Sequence, residues 1–186
     1  MRVIALTTLL LTLGTANASD LTVAGNPDAD SCFRATMLPF EAASTAVSSC
    51  NVALNTRRIT RRERASILVN RGILYNHMGD YLAAIDDFEA ALKLVPDFPE
   101  AYINRGNAYF YSGQVELAIA DYNHAIQRKS SKLHTAYFNR GLVNERQKRP
   151  DLAFADFVRA NELKPDWVLA AGRVEQYRSQ GYELSH

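Results

Sequence analysis

The residues of this 186-residue chain whose types could do chemistry are four histidines, two cysteines and several clusters of charge. His77, His124, His134 and His186 lie too far apart for a spacing such as H-E-x-x-H, in which two imidazoles share one helix face and one metal ion. No G-x-S-x-G elbow, no phosphate-cradling glycine loop and no Cys/His nucleophile pair occurs. Asp86, Asp87 and Glu89 suit the exposed side of a helix better than an acid–base dyad. No catalytic residue, cofactor or metal site is therefore expected. Cys32 and Cys50 have no His or Cys neighbours that would make them metal ligands, which leaves a disulfide or two free thiols, and the compartment decides between them.

The first twenty residues bear on that choice. A short basic start, Met1-Arg2, precedes an apolar stretch from Val3 to Leu13 and the small residues Ala16-Asn17-Ala18. That order is expected of a signal peptide spanning residues 1–18 and cleaved after Ala18. The apolar stretch falls short of the roughly 20 residues a membrane-spanning helix needs, and no later segment is longer. The expected location is outside the cytoplasm, in an oxidising space, where a Cys32–Cys50 disulfide is expected. Loss of Arg2 with the leader balances the charge, so neither nucleic acid nor a strongly anionic polymer is an expected partner. One basic stretch stands out, Arg57 to Arg64, "RRITRRER"; it is either a patch for an anionic surface or a solvated connector leading into a helix.

The elements that carry these residues show in the tripeptide Asn-Arg-Gly, at 70–72, 104–106 and 139–141, with glycines spaced by 34 and then 35 residues. Twelve residues after each glycine stands Ala84, Ala118 or Ala153. Sixteen after stands Phe88, Tyr122 or Phe157, and nineteen after Ala91, Ala125 or Ala160. Leu68, Gly72 and Tyr75 fall on one stripe of a helix, and Ala84, Phe88, Ala91 and Leu92 on one stripe of a second. "MGDY" from Met78 to Tyr81 breaks between them, and Pro150 opens the corresponding helix in the third copy. Small residues at a fixed register let two helix backbones cross closely, with the ring filling the space beside them.

This pattern resembles the tetratricopeptide repeat, whose 34-residue unit places small and large apolar residues at these positions. The resemblance implies an all-α, right-handed helical-hairpin solenoid of three such repeats: 65–98, 99–132 and 134–167. Residues 19–64 would form a degenerate N-terminal cap, with Cys50 in the place of Phe88, and residues 168–186 a C-terminal capping helix. Lys148 in place of the turn glycine and Asn144 in place of the aromatic at Tyr75 and Tyr109 depart from the pattern.

Each arginine has an aspartate at a constant separation of 16, which gives the expected structural ion pairs Arg71–Asp87, Arg105–Asp121 and Arg140–Asp156. The resemblance further implies that first helices line a concave groove. Val69, Asn70, Ile73, Ile103, Asn104, Asn107, Phe110, Tyr111, Phe138, Asn139 and Leu142 are expected there, with the asparagines as polar anchors for an extended peptide. Alternatively, the asparagines bond neighbouring helix carbonyls or simply face water. The positions of the family's carboxylate clamp hold Val69, Ile73, Asn104, Thr135 and Asn139, so no such clamp is expected. The function that follows is binding of another protein or peptide by an adaptor or scaffold in an extracytoplasmic space such as the bacterial periplasm. The alternative is a homo-oligomeric unit whose groove a neighbouring copy fills.

Overall fold

The computed structural model describes residues 27–37, 43–56, 59–128 and 132–183. The expected leader, Arg57, Arg58 and His186 lie outside them. The described residues form nine helices and no strand: α1 Pro27–Ala35, α2 Ala43–Leu54, α3 Arg61–His77, α4 Tyr81–Leu94, α5 Pro99–Tyr111, α6 Val115–Gln127, α7 Leu133–Arg146, α8 Pro150–Leu163 and α9 Val168–Ser179. They pack in chain order: α3 on α4, α5 on α6 and α7 on α8 make the three hairpins, and each hairpin stacks on the one before. The chain is an all-helical solenoid.

Local chemistry sets the helix ends. At α3 the Thr60 hydroxyl accepts from the Glu63 N–H while the Glu63 carboxylate accepts from the Thr60 N–H, a reciprocal cap. Asp80 caps α4 by accepting from the Ala83 N–H. Pro99 and Pro150 sit in first turns, where a missing N–H removes no bond. The turns inside the hairpins need a left-handed residue, supplied by Gly79 at φ 75 and Gly113 at φ 86. In the third hairpin Lys148 takes that conformation, at φ 57, against the usual preference of a residue with a Cβ.

The hairpins close on one contact. A Cβ built on Gly72 would lie 2.7 Å from Phe88 Cε1, one on Gly106 2.8 Å from Tyr122 Cε1, and one on Gly141 2.8 Å from Phe157 Cε1. All three rings are fully buried. Each glycine is a seat for a ring of the second helix, and any side chain there would push the helices apart.

The N-terminal hairpin solves the same crossing covalently. α1 and α2 bury Ala29, Phe33, Ala35, Ala46 and Ala53, and no ring stands at the crossing. Cys32 and Cys50 are bridged there, with Cα atoms 4.8 Å apart, and the Cys32 sulfur lies 4.0 Å from the Ile67 carbonyl of α3. Closing that 18-residue interval stabilises by about 3 kcal/mol in the chain-entropy model. That matches in size the ~2–3 kcal/mol gained by burying a phenylalanine side chain.

The described arginines of the basic stretch are spent on helix ends. Arg64 donates to the Leu54 carbonyl at the end of α2, and Arg61 to the Leu94 carbonyl at the end of α4. Arg62 lies over the Phe98 ring. At the other end of the array, α9 buries Ala170, Val174 and Tyr177 against α8, while Glu175, Gln176 and Gln180 face solvent.

Candidate functional site

The arginine of each tripeptide faces its own second helix. Arg71 Nε and Nη2 donate to the two carboxylate oxygens of Asp87 at 2.8 and 2.6 Å, Arg105 to Asp121 at 2.8 and 2.8 Å, and Arg140 to Asp156 at 3.0 and 2.6 Å. Two parallel bonds fix the planar guanidinium against the planar carboxylate. Burial pushes the Asp121 carboxyl above its ordinary value, and the facing guanidinium offsets only part of that. Tyr102 and Tyr109 hold the Arg105 guanidinium between them, with centroids at 5.4 and 5.5 Å.

A further partner escaped the sequence reading. Arg71 Nη1 also donates to Asn51 Oδ1 at 2.6 Å, and Arg140 Nη1 to Asn123 Oδ1 at 2.5 Å. Both asparagines sit on the preceding hairpin, one residue after Cys50 or Tyr122. At the middle junction this register holds Glu89, which accepts instead from the Tyr109 hydroxyl at 3.3 Å. The signal was available: residues 51, 89 and 123 follow the ring position by one. These arginines therefore join neighbouring hairpins as well as the two helices of each.

The expected asparagine ladder is placed differently from the expectation of an open polar row. Asn70, Asn104 and Asn139 are fully buried, as is Asn107. Asn139 Nδ2 donates to Asn107 Oδ1 at 2.9 Å, from α7 to α5, and Asn104 Nδ2 to the Glu100 carbonyl at 2.9 Å. Asn76 Nδ2 donates to the Asn104 carbonyl at 3.2 Å, from α3 to α5. The physical reason is proximity of first helices: an amide between them can satisfy a neighbour's backbone or side chain directly. Val69, Ile73, Ile103, Phe110, Phe138 and Leu142 are buried too, and of the expected lining residues Tyr111 alone is half-exposed.

At the C-terminal end of each first helix, the fifth residue after the glycine is again partly or fully exposed. That register holds His77, Tyr111 and Arg146, one per repeat, of which the first two are half-buried and the third exposed. Tyr111 stacks on Tyr81 of the preceding hairpin at 5.5 Å, and Arg146 lies 4.9 Å from the Phe110 centroid. Burial lowers the His77 imidazole below its ordinary value. The row offers an imidazole, a phenol and a guanidinium on a rigid base, which suits recognition of another surface. Among the described residues no group of three or more His, Cys, Asp or Glu is placed to hold a metal ion, and no helix is long and apolar enough to cross a membrane.

Family models of the tetratricopeptide repeat match residues 72–113, 99–132 and 134–166, over the hairpins just described. The chain belongs to the tetratricopeptide repeat family. Tetratricopeptide repeat protein 36 of Bos taurus is 33% identical over 104 residues, 54% of this chain and 55% of that protein. The chain thus spans about half the length of that curated relative. Among solved structures, MamA is similar with a TM-score of 0.62 and 22% identity, over 76% of this chain and 80% of that one. The first tetratricopeptide domain of Spaghetti (RPAP3), solved with the HSP90 peptide SRMEEVD, is similar with a TM-score of 0.59 and 24% identity, over 68% of this chain and 100% of that one.

Proposed function

We propose that this tetratricopeptide repeat protein is a binding adaptor that holds a peptide or helix of another protein against its first helices, without catalysis. The observation that carries this reading is the row His77, Tyr111 and Arg146. It sets three different side chains at one register of three stacked repeats, at the partly open edge of the first-helix face. A fixed scaffold with variable side chains at a fixed register is how a solenoid acquires a specific partner. The peptide bound to the RPAP3 domain supports the reading by analogy of fold. On its leader-like start and its buried disulfide, we place the protein in an oxidising extracytoplasmic space such as a bacterial periplasm.

The test is affinity capture with the wild type and a His77→Ala, Tyr111→Ser, Arg146→Ser variant whose melting matches wild type. Loss of the captured partner in the variant supports the reading, and unchanged capture sinks it. The asparagines are unsuitable targets, because their removal strips bonds from the core. A second reading, self-association, has its own observation: Val168 and Leu169 are 80% and 54% exposed at the start of α9. A mass that stays monomeric with rising concentration removes it.

A further inference from the structure

The three full hairpins and the N-terminal hairpin close the same crossing by different means, and only one of these means depends on redox conditions. The rings of Phe88, Tyr122 and Phe157 seat on glycine whatever the solvent potential. In the N-terminal hairpin the contact is the Cys32–Cys50 bond, and what surrounds it is small: Ala29, Ala35, Ala46 and Ala53, set against Ile67 and Leu74 of α3. α1 has nine residues and buries one large side chain, Phe33. A helix so short is marginal without tertiary support. α2 keeps attachments of its own, through Asn51 to Arg71 and the Leu54 carbonyl to Arg64.

We propose that the bridge is a redox latch: α1 covers its part of the leading face of α3, beside Ile67, only while Cys32 and Cys50 are joined, and a reducing dithiol uncovers that part while α2 stays in place. The exchange balances simply. One thiolate of the dithiol attacks a sulfur of the bridge, and its second thiolate resolves the mixed disulfide. The dithiol leaves as a cyclic disulfide, having given two electrons and two protons to the two cysteine sulfurs. Both cysteines are fully buried, so attack follows transient opening of α1 and the latch yields slowly. The strip uncovered accepts a helix rich in small side chains, which is what α1 presents to it now through Ala29, Cys32 and Ala35. In a one-dimensional array this loss stays at the end, because each hairpin is supported chiefly by its neighbours.

Hydrogen-exchange mass spectrometry on the full chain, oxidised and then held in dithiothreitol, tests this. Exchange in residues 27–35 should quicken about 100-fold, from the loop-closure entropy released, while α5 to α8 stay within twofold. A Cys32→Ala, Cys50→Ala chain should show the fast α1 without reductant and no response to it. Unchanged α1 protection on reduction overturns the proposal. So does loss of protection in α5 to α8 together with α1, or an alanine variant that fails to fold at all, since the array is held to stand without the latch.

Discussion

Gly106→Ala puts the central packing claim at risk, because two well-known effects oppose each other there. In an ordinary helix interior this substitution stabilises by about 1 kcal/mol. At position 106 the new methyl would lie 2.8 Å from Tyr122 Cε1 and 3.1 Å from both Cδ1 and Cζ. The ring has no retreat: Tyr122 is fully buried, and its hydroxyl donates to Asn107 Oδ1 at 2.7 Å. Forcing a methyl into a filled core costs about 1–3 kcal/mol, and strain on the phenol bond adds about 1 kcal/mol. The net expectation is a destabilisation of about 1–3 kcal/mol. Gly172 in α9 is the control, because a Cβ there meets nothing within 4 Å. Gly172→Ala should stabilise by about 0.5–1 kcal/mol. Urea unfolding reads both, and melting should move by about 2–4 °C per kcal/mol. A third chain carrying Tyr122→Leu with Gly106→Ala should be more stable than the sum of the single effects predicts, by about 1 kcal/mol or more. If Gly106→Ala is as stabilising as Gly172→Ala, the glycines are not seats for the rings, and another cause must be found for their spacing.

Three other outcomes are expected. Lys148→Gly relieves the left-handed turn and should raise stability by about 0.5–1 kcal/mol, whereas Gly113→Ala, at φ 86, should lower it; thermal melting decides both. Asn107→Ala removes the acceptor of both the Tyr122 hydroxyl and Asn139 Nδ2, and should cost about 2–4 kcal/mol by urea unfolding. Burial lowers His77, and burial with the nearby Lys164 and Lys132 lowers His134, from an ordinary value of 6.5. Over that window the unfolded chain binds protons that the folded chain does not. The stability these groups supply is therefore present above pH 6.5 and lost as the pH falls through the lowered values. Urea midpoints at pH 7.5 and pH 5.5 should differ less in a His77→Gln, His134→Gln chain.

The fold was legible because its determinants are periodic. Gly72, Gly106 and Gly141 with Phe88, Tyr122 and Phe157 state the helix crossing three times over, and the constant offset of 16 between Arg105 and Asp121 states which helices face each other. The site was less legible. A side chain's register says which way it leaves a helix, not how close the next helix stands. Asn70, Asn104 and Asn139 are fully buried: Asn104 bonds back to the Glu100 carbonyl of its own helix, and Asn139 reaches Asn107 on the preceding first helix. Arg71 to Asn51 and Arg140 to Asn123 were missed for a related reason. They join consecutive hairpins, and alignment of each repeat with the others compares equivalent positions without pairing different ones. His77, Tyr111 and Arg146 share a register but no chemistry, so a search for recurring residues passes over them.

The junctions between hairpins also give the array uneven mechanics. Asn51 to Arg71 and Asn123 to Arg140 are short bonds to a charged donor, placed across the first and third junctions. The second junction has the 3.3 Å contact of Tyr109 with Glu89 in their place, and it is crossed as well by the Asn76 bond to the Asn104 carbonyl and by the Tyr81–Tyr111 stack. Each junction is thus fastened by a different set of links, so the stiffness of the array is set junction by junction. The Tyr81–Tyr111 stack ties the middle residue of the row to the hairpin that carries His77, and the contact of Arg146 with Phe110 ties the last residue to the hairpin that carries Tyr111. A partner laid along the row meets side chains whose spacing is held by the junctions rather than by the helices alone.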